Sequence, residues 1–247
     1  MALQSPVSNY GLREDWNSVQ ETLEQIIPIY DKTNRYISLG TDLKLRKRGI
    51  ELLLNEFHTD DFSLLDLGCG TGTMTRLFQA SAKSNDKVTL VDPLLGMMRI
   101  AHNRVAQDGV LGVYETLPFR EEAVDAAMAG FSIRDARDLP AALRQINSLL
   151  RENGKFLIVD LSKPDSSLKG GLISVYWRML APFIAFLSSG KLGLKFGALS
   201  KTYKRLPKIS EFFRLAEDEG FEVAKSEFSM LGGACVILLT KRYNLTS

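Results

Sequence analysis

The residues most suggestive of chemistry form the segment Asp-Leu-Gly-Cys-Gly-Thr-Gly at 66–72. An apolar run precedes the acid and a helical pattern follows the last glycine, so a strand is predicted to turn tightly into a helix. Glycines let the backbone approach a ligand that a Cβ would hold away. The candidate cofactor-binding residues of this turn are Asp66, Gly68, Cys69, Gly70, Thr71 and Gly72.

The acid ahead of the glycines limits which ligand the turn can bind. A dinucleotide would place its pyrophosphate at the helix N-terminus, where the Asp66 carboxylate would repel it. S-adenosylmethionine (SAM) has an ammonium, a sulfonium and no phosphate, so the same carboxylate would attract it. A nicotinamide fingerprint also needs a third glycine where this chain has Thr73. The turn therefore favours SAM.

A second acid, Asp92, ends the apolar segment 88–91. A carboxylate at the end of the second strand can accept both hydroxyls of an adenosine ribose. The alternative is that Asp92 only precedes Pro93 and caps the next helix. The presence of Asp66 and the glycines favours the ribose role. Pro93 and Met97 follow as further candidates for the cofactor pocket, although core packing is the simpler role for Met97.

Strand-like and helical patterns alternate from residue 62 to residue 161, which predicts parallel βαβ units with a ligand site beyond the carboxyl ends of the strands. A further helix and two strands joined through a Gly-Gly pair predict an antiparallel hairpin at the end. Predicted strands are 62–67, 87–92, 110–114, 123–129, 154–161, 221–228 and 234–241; predicted helices are 73–82, 96–107, 139–151 and 208–220.

Four further motifs carry a resemblance to a known family: Y-D-K-T-N at 30–34, L-P-F at 117–119, G-F-S-I-R-D at 130–135 and S-K-P at 162–164. Together with the glycine turn they resemble the ubiquinone/menaquinone biosynthesis C-methyltransferase (UbiE/MenG) family. The resemblance implies an α/β fold with the seven-stranded, Rossmann-like sheet of class I methyltransferases, mostly parallel with a C-terminal antiparallel hairpin. It also implies one domain over 1–247. Its parts would be lid helices at 1–60, a SAM-binding core at 61–165, a helical cap at 166–210, and a C-terminal helix and hairpin at 211–247.

The same resemblance implies that Tyr30, Asp31, Asn34 and Arg134 face the reactive end of the pocket. Asp31 would accept a proton and Arg134 would stabilise a phenolate. The rival interpretation is that Tyr30 and Asp31 only order a lid, and that Arg134 forms a structural ion pair with Asp135, Asp138 or another acid. The implied activity is SAM-dependent C-methylation of a prenylated quinol precursor, of the demethylmenaquinone type. The alternatives are another lipophilic acceptor, such as a phospholipid amine or a sterol-like compound, and a SAM-binding scaffold without turnover.

Some positions depart from the family pattern. Val113 and Tyr114 stand where the family has an acid or amide beside alanine that contacts adenine, so only backbone contacts are expected there. Gly130 replaces a serine, and no histidine is found near Leu238. Val113, Tyr114 and Gly130 remain candidates for the cofactor site, whereas the identity of the acceptor is left open.

The segment 172–187 is apolar and aromatic, but it is interrupted by an arginine and a proline and is shorter than the roughly 20 residues that cross a bilayer. No acidic residue lies between Asp165 and Glu211. Apolar residues with unopposed cations favour contact of 166–210 with an anionic membrane surface. The alternative is a buried cap helix with a solvated basic face.

Composition narrows the class of protein. The formal net charge of +2 and the absence of an Asn/Asp-Pro-Pro-aromatic motif after strand four argue against nucleic acid as a partner. Two cysteines, Cys69 and Cys235, are too few for a disulfide framework, which favours the cytoplasm. Together with the membrane contact expected for 166–210, this predicts a cytoplasmic protein that is peripheral at the inner face of the membrane. No metal site is expected, neither His58 nor His102 is predicted to be catalytic, and a homodimer is left open.

Overall fold

In the computed structural model of the protein, the described residues are 10–57, 62–82 and 87–242. Seven strands of this part of the sequence form one sheet: β1 Leu64–Leu67, β2 Val88–Asp92, β3 Gly109–Leu111, β4 Val124–Gly130, β5 Leu150–Leu161, β6 Phe221–Ser229 and β7 Ala234–Lys241. The strand order is β3-β2-β1-β4-β5-β7-β6. The pairings among β1 to β5 are parallel, whereas β7 is antiparallel to both β5 and β6. The predicted class I sheet and its C-terminal hairpin are confirmed.

Helices cover both faces of this sheet, so its strands are buried on both sides and are apolar nearly throughout. Leu65 and Phe156 pack with Ile146 on one face, and Leu64 and Leu157 pack with Phe78 on the other. The helices are α1 Trp16–Ile26, α2 Tyr30–Ile37, α3 Thr41–Leu54, α4 Thr73–Ser81, α5 Leu95–Val105, α6 Leu139–Leu149, α7 Ser167–Val175, α8 Ala181–Gly193, α9 Leu199–Arg205 and α10 Ile209–Asp218.

Two predicted boundaries were wrong for local reasons. The third strand was expected to reach Tyr114 but ends at Leu111, because the backbone turns at 112–116, where the Thr116 amide donates to the Val113 carbonyl (3.2 Å). β5 begins at Leu150 rather than at residue 154, and the predicted helix ends correspondingly earlier. The β4–β5 register shifts between Val124 and Ala126, so the residues after Leu150 form a bulge instead of a helical turn.

The cap was predicted as an interrupted apolar segment at 172–187, too short to cross a bilayer, and this length was wrong. Helical structure runs from Ser167 to Gly197 through a π-helical turn at Tyr176–Leu180, and the whole is long and apolar enough to span a membrane by length and composition. Non-helical backbone at Gly190 (φ 63°, ψ −150°) interrupts it. The cap packs on the lid helix α2, where Thr33 Oγ1 and Ser189 Oγ lie 2.7 Å apart.

Candidate functional site

The glycine turn between β1 and α4 has the tight backbone that the sequence predicts. Gly68, Gly70 and Gly72 all have left-handed φ angles, of 61°, 55° and 78°. A Cβ built on Gly68 would lie 2.5 Å from the Cβ of Ser132, so no larger residue fits there. A Cβ on Gly72 would lie 3.2 Å from Ala101 of α5. Gly68 therefore permits the turn, and Gly72 permits close packing of α4 on α5.

Asp66 is fully buried beneath this turn. Its Oδ2 accepts hydrogen bonds from the amide (3.1 Å) and the hydroxyl (2.6 Å) of Thr75. Its Oδ1 is buried and has no hydrogen-bond partner among the described residues. Burial raises the pKa of Asp66 to about 6. An unpartnered carboxylate oxygen is costly to bury, so this atom is a candidate acceptor for a cationic ligand group. Asp66 itself is not in the wall of either cavity that adjoins the glycine turn.

Asp92 ends β2 and touches the glycine turn directly. Its Oδ2 accepts from the Gly70 amide and its Oδ1 from the Leu94 amide, both at 2.8 Å. Burial raises its pKa to about 6 as well. Both the capping role and the ribose role are compatible with these bonds, because each carboxylate oxygen keeps a further lone pair.

A cavity of about 640 Å³ opens beside Asp92, and its mostly apolar lining with a few polar groups suits a nucleoside. The Tyr114 hydroxyl lies against its floor, 2.7 Å from Ser132 Oγ and 2.9 Å from the Leu67 carbonyl. Six predicted cofactor residues besides Asp92 lie in its wall: Gly68, Gly70, Pro93, Met97, Val113 and Tyr114.

The cover of this cavity was not predicted from the sequence. Trp16, Gln20 and Leu23 of α1 close it from above, and Gln20 Oε1 is buried without a partner in the described part of the structure. Glu115 lies in the wall, with one oxygen held by the amides of Arg137 (2.7 Å) and Asp138 (3.0 Å). The amphipathic spacing of α1 predicts a packed helix, but it does not say which surface the helix covers.

A second, polar cavity of about 540 Å³ adjoins the glycine turn under α2. Asp31 accepts hydrogen bonds from Thr71 (2.7 Å) and from Arg104 (2.8 Å), and so ties α2 to the turn and to α5. This contact favours the interpretation of Asp31 as a lid residue. Arg46 lines the cavity together with eight predicted site residues: Tyr30, Asp31, Asn34, Gly68, Cys69, Gly70, Thr71 and Gly130.

A third cavity, of about 630 Å³, lies between α2, α3 and the cap. Asn34, Asp42 and Arg46 belong to its wall and to the wall of the polar cavity, so the two spaces meet at these residues. Phe131 and Trp177 give the remaining wall an aromatic character. We call this space the acceptor cavity.

Arg134 reaches the acceptor cavity but is already paired. Its Nη1 lies 2.5 Å from Asp160 Oδ1, and its Nε lies 3.8 Å from Asp135. Burial alone would lower the pKa of Arg134, but Asp160 and Asp135 reverse that effect and raise it. The rival interpretation of Arg134, a structural ion pair, predicted this kind of contact without naming Asp160.

Comparison with known proteins decides between the chemistries that such a site allows. A profile of the ubiE/COQ5 methyltransferase family matches residues 11–241. The chain belongs to this family. As a family member it is a SAM-dependent methyltransferase enzyme.

Named relatives agree with this assignment. The protein is 31% identical over 204 residues to the demethylmenaquinone methyltransferase of Thermotoga maritima, covering 81% of this chain and 86% of that protein. It is 27% identical over 223 residues to the ubiquinone/menaquinone biosynthesis C-methyltransferase UbiE of Campylobacter jejuni, covering 85% and 89%. Among solved structures, a SAM-dependent methyltransferase of Thermotoga maritima matches with a TM-score of 0.59 at 19% identity, covering 88% of this chain and 99% of that one. That structural likeness shows the fold.

The residues present fit SAM. The unpartnered Oδ1 of Asp66 offers an acceptor for the ammonium of the cofactor, Asp92 offers one for the ribose hydroxyls, and the cavity beside it offers space for adenine. SAM supplies an electrophilic methyl group when it is bound. The roles of the individual side chains remain predictions.

The raised pKa values predict how the cofactor affinity of this family member depends on pH. Asp66 and Asp92 must both be ionised to attract the ammonium and to accept the ribose hydroxyls, and each has a pKa of about 6 in the free protein. We therefore expect the Kd for SAM to be nearly constant above pH 7. Below pH 6 it should rise about tenfold per pH unit for each protonated carboxylate. Titration calorimetry between pH 5 and pH 8 measures this change in Kd.

Replacing Asp92 with asparagine should flatten the pH dependence of the Kd for SAM. A slope equal to that of the wild type would contradict the assignment of Asp92.

The stability of the free protein should show the opposite trend. Because the folded-state pKa of Asp66 and Asp92 lies above the ordinary value of 3.8, the folded protein binds more protons than the unfolded chain between pH 4 and pH 6. Their contribution to the free energy of unfolding therefore falls as pH rises through this range. Urea unfolding of the SAM-free protein across these pH values measures the change, and Asp92→Asn should reduce it.

Proposed function

We propose that this protein methylates a ring carbon of a prenylated quinol precursor of the demethylmenaquinone type, with SAM as the methyl donor. The observation that carries the proposal is the acceptor cavity, which meets the polar cavity of the cofactor site at Asn34 and Arg46. Its aromatic and apolar wall, with Phe131, Leu161 and Trp177, suits a flat ring with a hydrocarbon tail. The names of the relatives, one for demethylmenaquinone and one for ubiquinone and menaquinone biosynthesis, support the same class of acceptor.

In this proposal the lid positions the reactants and excludes water. Asp31 fastens α2 to Thr71 and Arg104, which keeps Asn34 at the junction of the polar and acceptor cavities and Tyr30 in the wall of the polar cavity. Burial raises the pKa of Tyr30, so its hydroxyl stays protonated and can donate a hydrogen bond to the acceptor. A water-poor junction favours transfer, because a ring carbon must be held in line with the methyl group.

The proposal is tested by incubating the purified protein with methyl-labelled SAM and demethylmenaquinol in mixed vesicles. We expect label in the quinone fraction, with the new methyl group on the ring by mass spectrometry. Label in phospholipid instead would favour a phospholipid amine as the acceptor. SAM binding without any transfer of label would favour a scaffold without turnover.

We also propose that the cap contacts an anionic membrane, which places the enzyme at the cytoplasmic face. Its outer surface exposes a row of large apolar side chains between exposed cations, which suits the boundary between lipid head groups and acyl chains. The most exposed apolar residues are Leu168, Leu172, Val175, Met179, Phe183, Leu187 and Leu194, and the exposed cations are Lys169, Arg178, Lys191 and Lys195.

The other side of the cap is held by the protein, which favours surface contact over a membrane span. Ala181 and Ala185 are buried with Leu23 and Ile26 of α1. The Tyr176 hydroxyl donates to the Ile37 carbonyl at the end of α2. Insertion across a bilayer would break these contacts, whereas lying on its surface keeps them.

Vesicle sedimentation measures this membrane contact. We expect the protein to bind vesicles with about 30% phosphatidylglycerol, and to bind pure phosphatidylcholine vesicles more weakly. Arg178→Gln and Lys191→Gln should each weaken binding about fivefold, because one surface cation contributes about 1 kcal/mol. Lys47→Gln, on the exposed face of α3, is the matched control. Binding of both cap variants at the wild-type level would contradict the proposal.

A further inference from the structure

Arg46 is a cation enclosed between the polar cavity and the acceptor cavity. Its side chain projects from α3, and its Nε is buried without a hydrogen-bond partner. Among the described residues, no carboxylate lies within ion-pair distance of its guanidinium, although the charges of Asp42, Asp66 and Asp160 act on it from farther away. Burial lowers the pKa of Arg46. An enclosed guanidinium is costly unless it meets an anion, so its surroundings suggest a ligand that carries one.

The neighbours of Arg46 hold it at the junction of the two cavities. Its guanidinium carbon lies 4.9 Å from the centre of the Phe131 ring. A Cβ built on Gly130 would lie 2.3 Å from Arg46 Nη1, so the guanidinium occupies the space that a side chain at 130 would fill. Met74 Cγ is equally close to that position, so a larger residue at 130 would displace Arg46 or Met74. The contact with Phe131 places the cation beside a flat aromatic surface.

We infer that Arg46 binds the ionised hydroxyl oxygen of an aromatic acceptor; the inference rests on the proposed function. In the ionised acceptor, the hydroxyl proton has been transferred to water. The electron pair of the oxygen is then delocalised onto the ring carbon that is to be methylated. Arg134 supplies the other guanidinium in the acceptor cavity. Because it is paired with Asp160, it is less available than Arg46 to bind this oxygen. The carboxylate of SAM has other cations available, since Arg35 and Arg76 also line the polar cavity.

The test uses 2-hydroxy-1,4-naphthoquinone, an enolic naphthoquinone that is ionised at neutral pH and whose visible spectrum reports its ionisation. The probe is titrated into full-length protein saturated with S-adenosylhomocysteine. We expect Arg46→Met to weaken binding of the probe at least tenfold and to abolish any lowering of its pKa in the complex. The Kd for SAM should change less than threefold. Arg48→Met, two residues along α3 with an exposed side chain, is the matched control and should behave as wild type.

Gly130→Ser is a second variant, which crowds both Arg46 Nη1 and Met74 Cγ without removing the guanidinium and should also weaken probe binding. An Arg46→Met protein that binds the probe like wild type, or that loses as much SAM affinity as probe affinity, overturns the inference. Assays of demethylmenaquinol on the same preparations separate the two proposals. Wild-type protein that methylates the quinol and binds the probe, with Arg46→Met unchanged in both, overturns the role of Arg46 alone. Wild-type protein that neither methylates the quinol nor binds the probe overturns both.

Discussion

Replacing Asp92 with alanine should weaken SAM binding roughly 10- to 100-fold, the scale of losing charge-assisted hydrogen bonds to two hydroxyl groups. The carboxylate ends β2 at the edge of the cavity of about 640 Å³ that suits a nucleoside. The fold should tolerate the change. Alanine releases the amides of Gly70 and Leu94, but it also removes a buried charge whose pKa is raised to about 6. Titration calorimetry gives the affinity, and urea unfolding gives the stability.

Two variants separate the ribose role from general effects on charge. Asp92→Asn keeps one oxygen that can accept hydrogen bonds, so it should lose less affinity than alanine. Asp108→Ala removes an exposed acid that follows α5, and it should leave the Kd for SAM unchanged. If Asp92→Ala binds SAM as tightly as wild type, then Asp92 acts only as a cap for the following helix.

Local signals in the sequence were enough to predict where the candidate cofactor residues lie in the fold. The glycine turn, Asp66 and Asp92 lie at the ends of β1 and β2, and parallel strand order brings such ends together without further information. The C-terminal hairpin could also be predicted from the sequence, because Gly232 and Gly233 separate two apolar runs. Each of these features is predicted from a short segment of consecutive residues.

The acceptor half depends on contacts between distant segments, which one sequence does not reveal. Arg46 matters because Gly130 leaves it space and Phe131 lies under it, more than eighty residues away. Asp160 was not identified as the partner of Arg134, since pairing across β4 and β5 depends on register. The length of the cap helix was underestimated because an arginine and a proline were treated as breaks, whereas Pro182 lies in the first turn of α8, where proline is tolerated.

Replacing Arg134 with methionine should lower the free energy of unfolding by about 3–5 kcal/mol, the usual effect of removing one partner of a buried ion pair. Arg134 and Asp160 are 8% and 2% exposed, and their closest atoms lie 2.5 Å apart. Without the guanidinium, the donors left to the Asp160 carboxylate within 10–57, 62–82 and 87–242 are the backbone amides of Arg134 (3.3 Å) and Leu161 (2.7 Å). Urea unfolding of the SAM-free protein measures the loss.

A double-mutant cycle decides whether Arg134 is structural or acts on the acceptor. Adding Asp160→Asn to Arg134→Met removes the stranded charge and should recover a large part of the lost stability. Arg151→Met is the matched control: its ion pair with Asp125 has a similar length, 2.7 Å, but the arginine side chain is half exposed, so the loss should be at most about 1 kcal/mol. If Arg134→Met unfolds at the wild-type urea concentration and abolishes methyl transfer, Arg134 acts on the acceptor itself. If the double variant regains both stability and turnover, the Arg134 guanidinium acts by stabilising the fold. Arg46 then remains as the cation that binds the substrate.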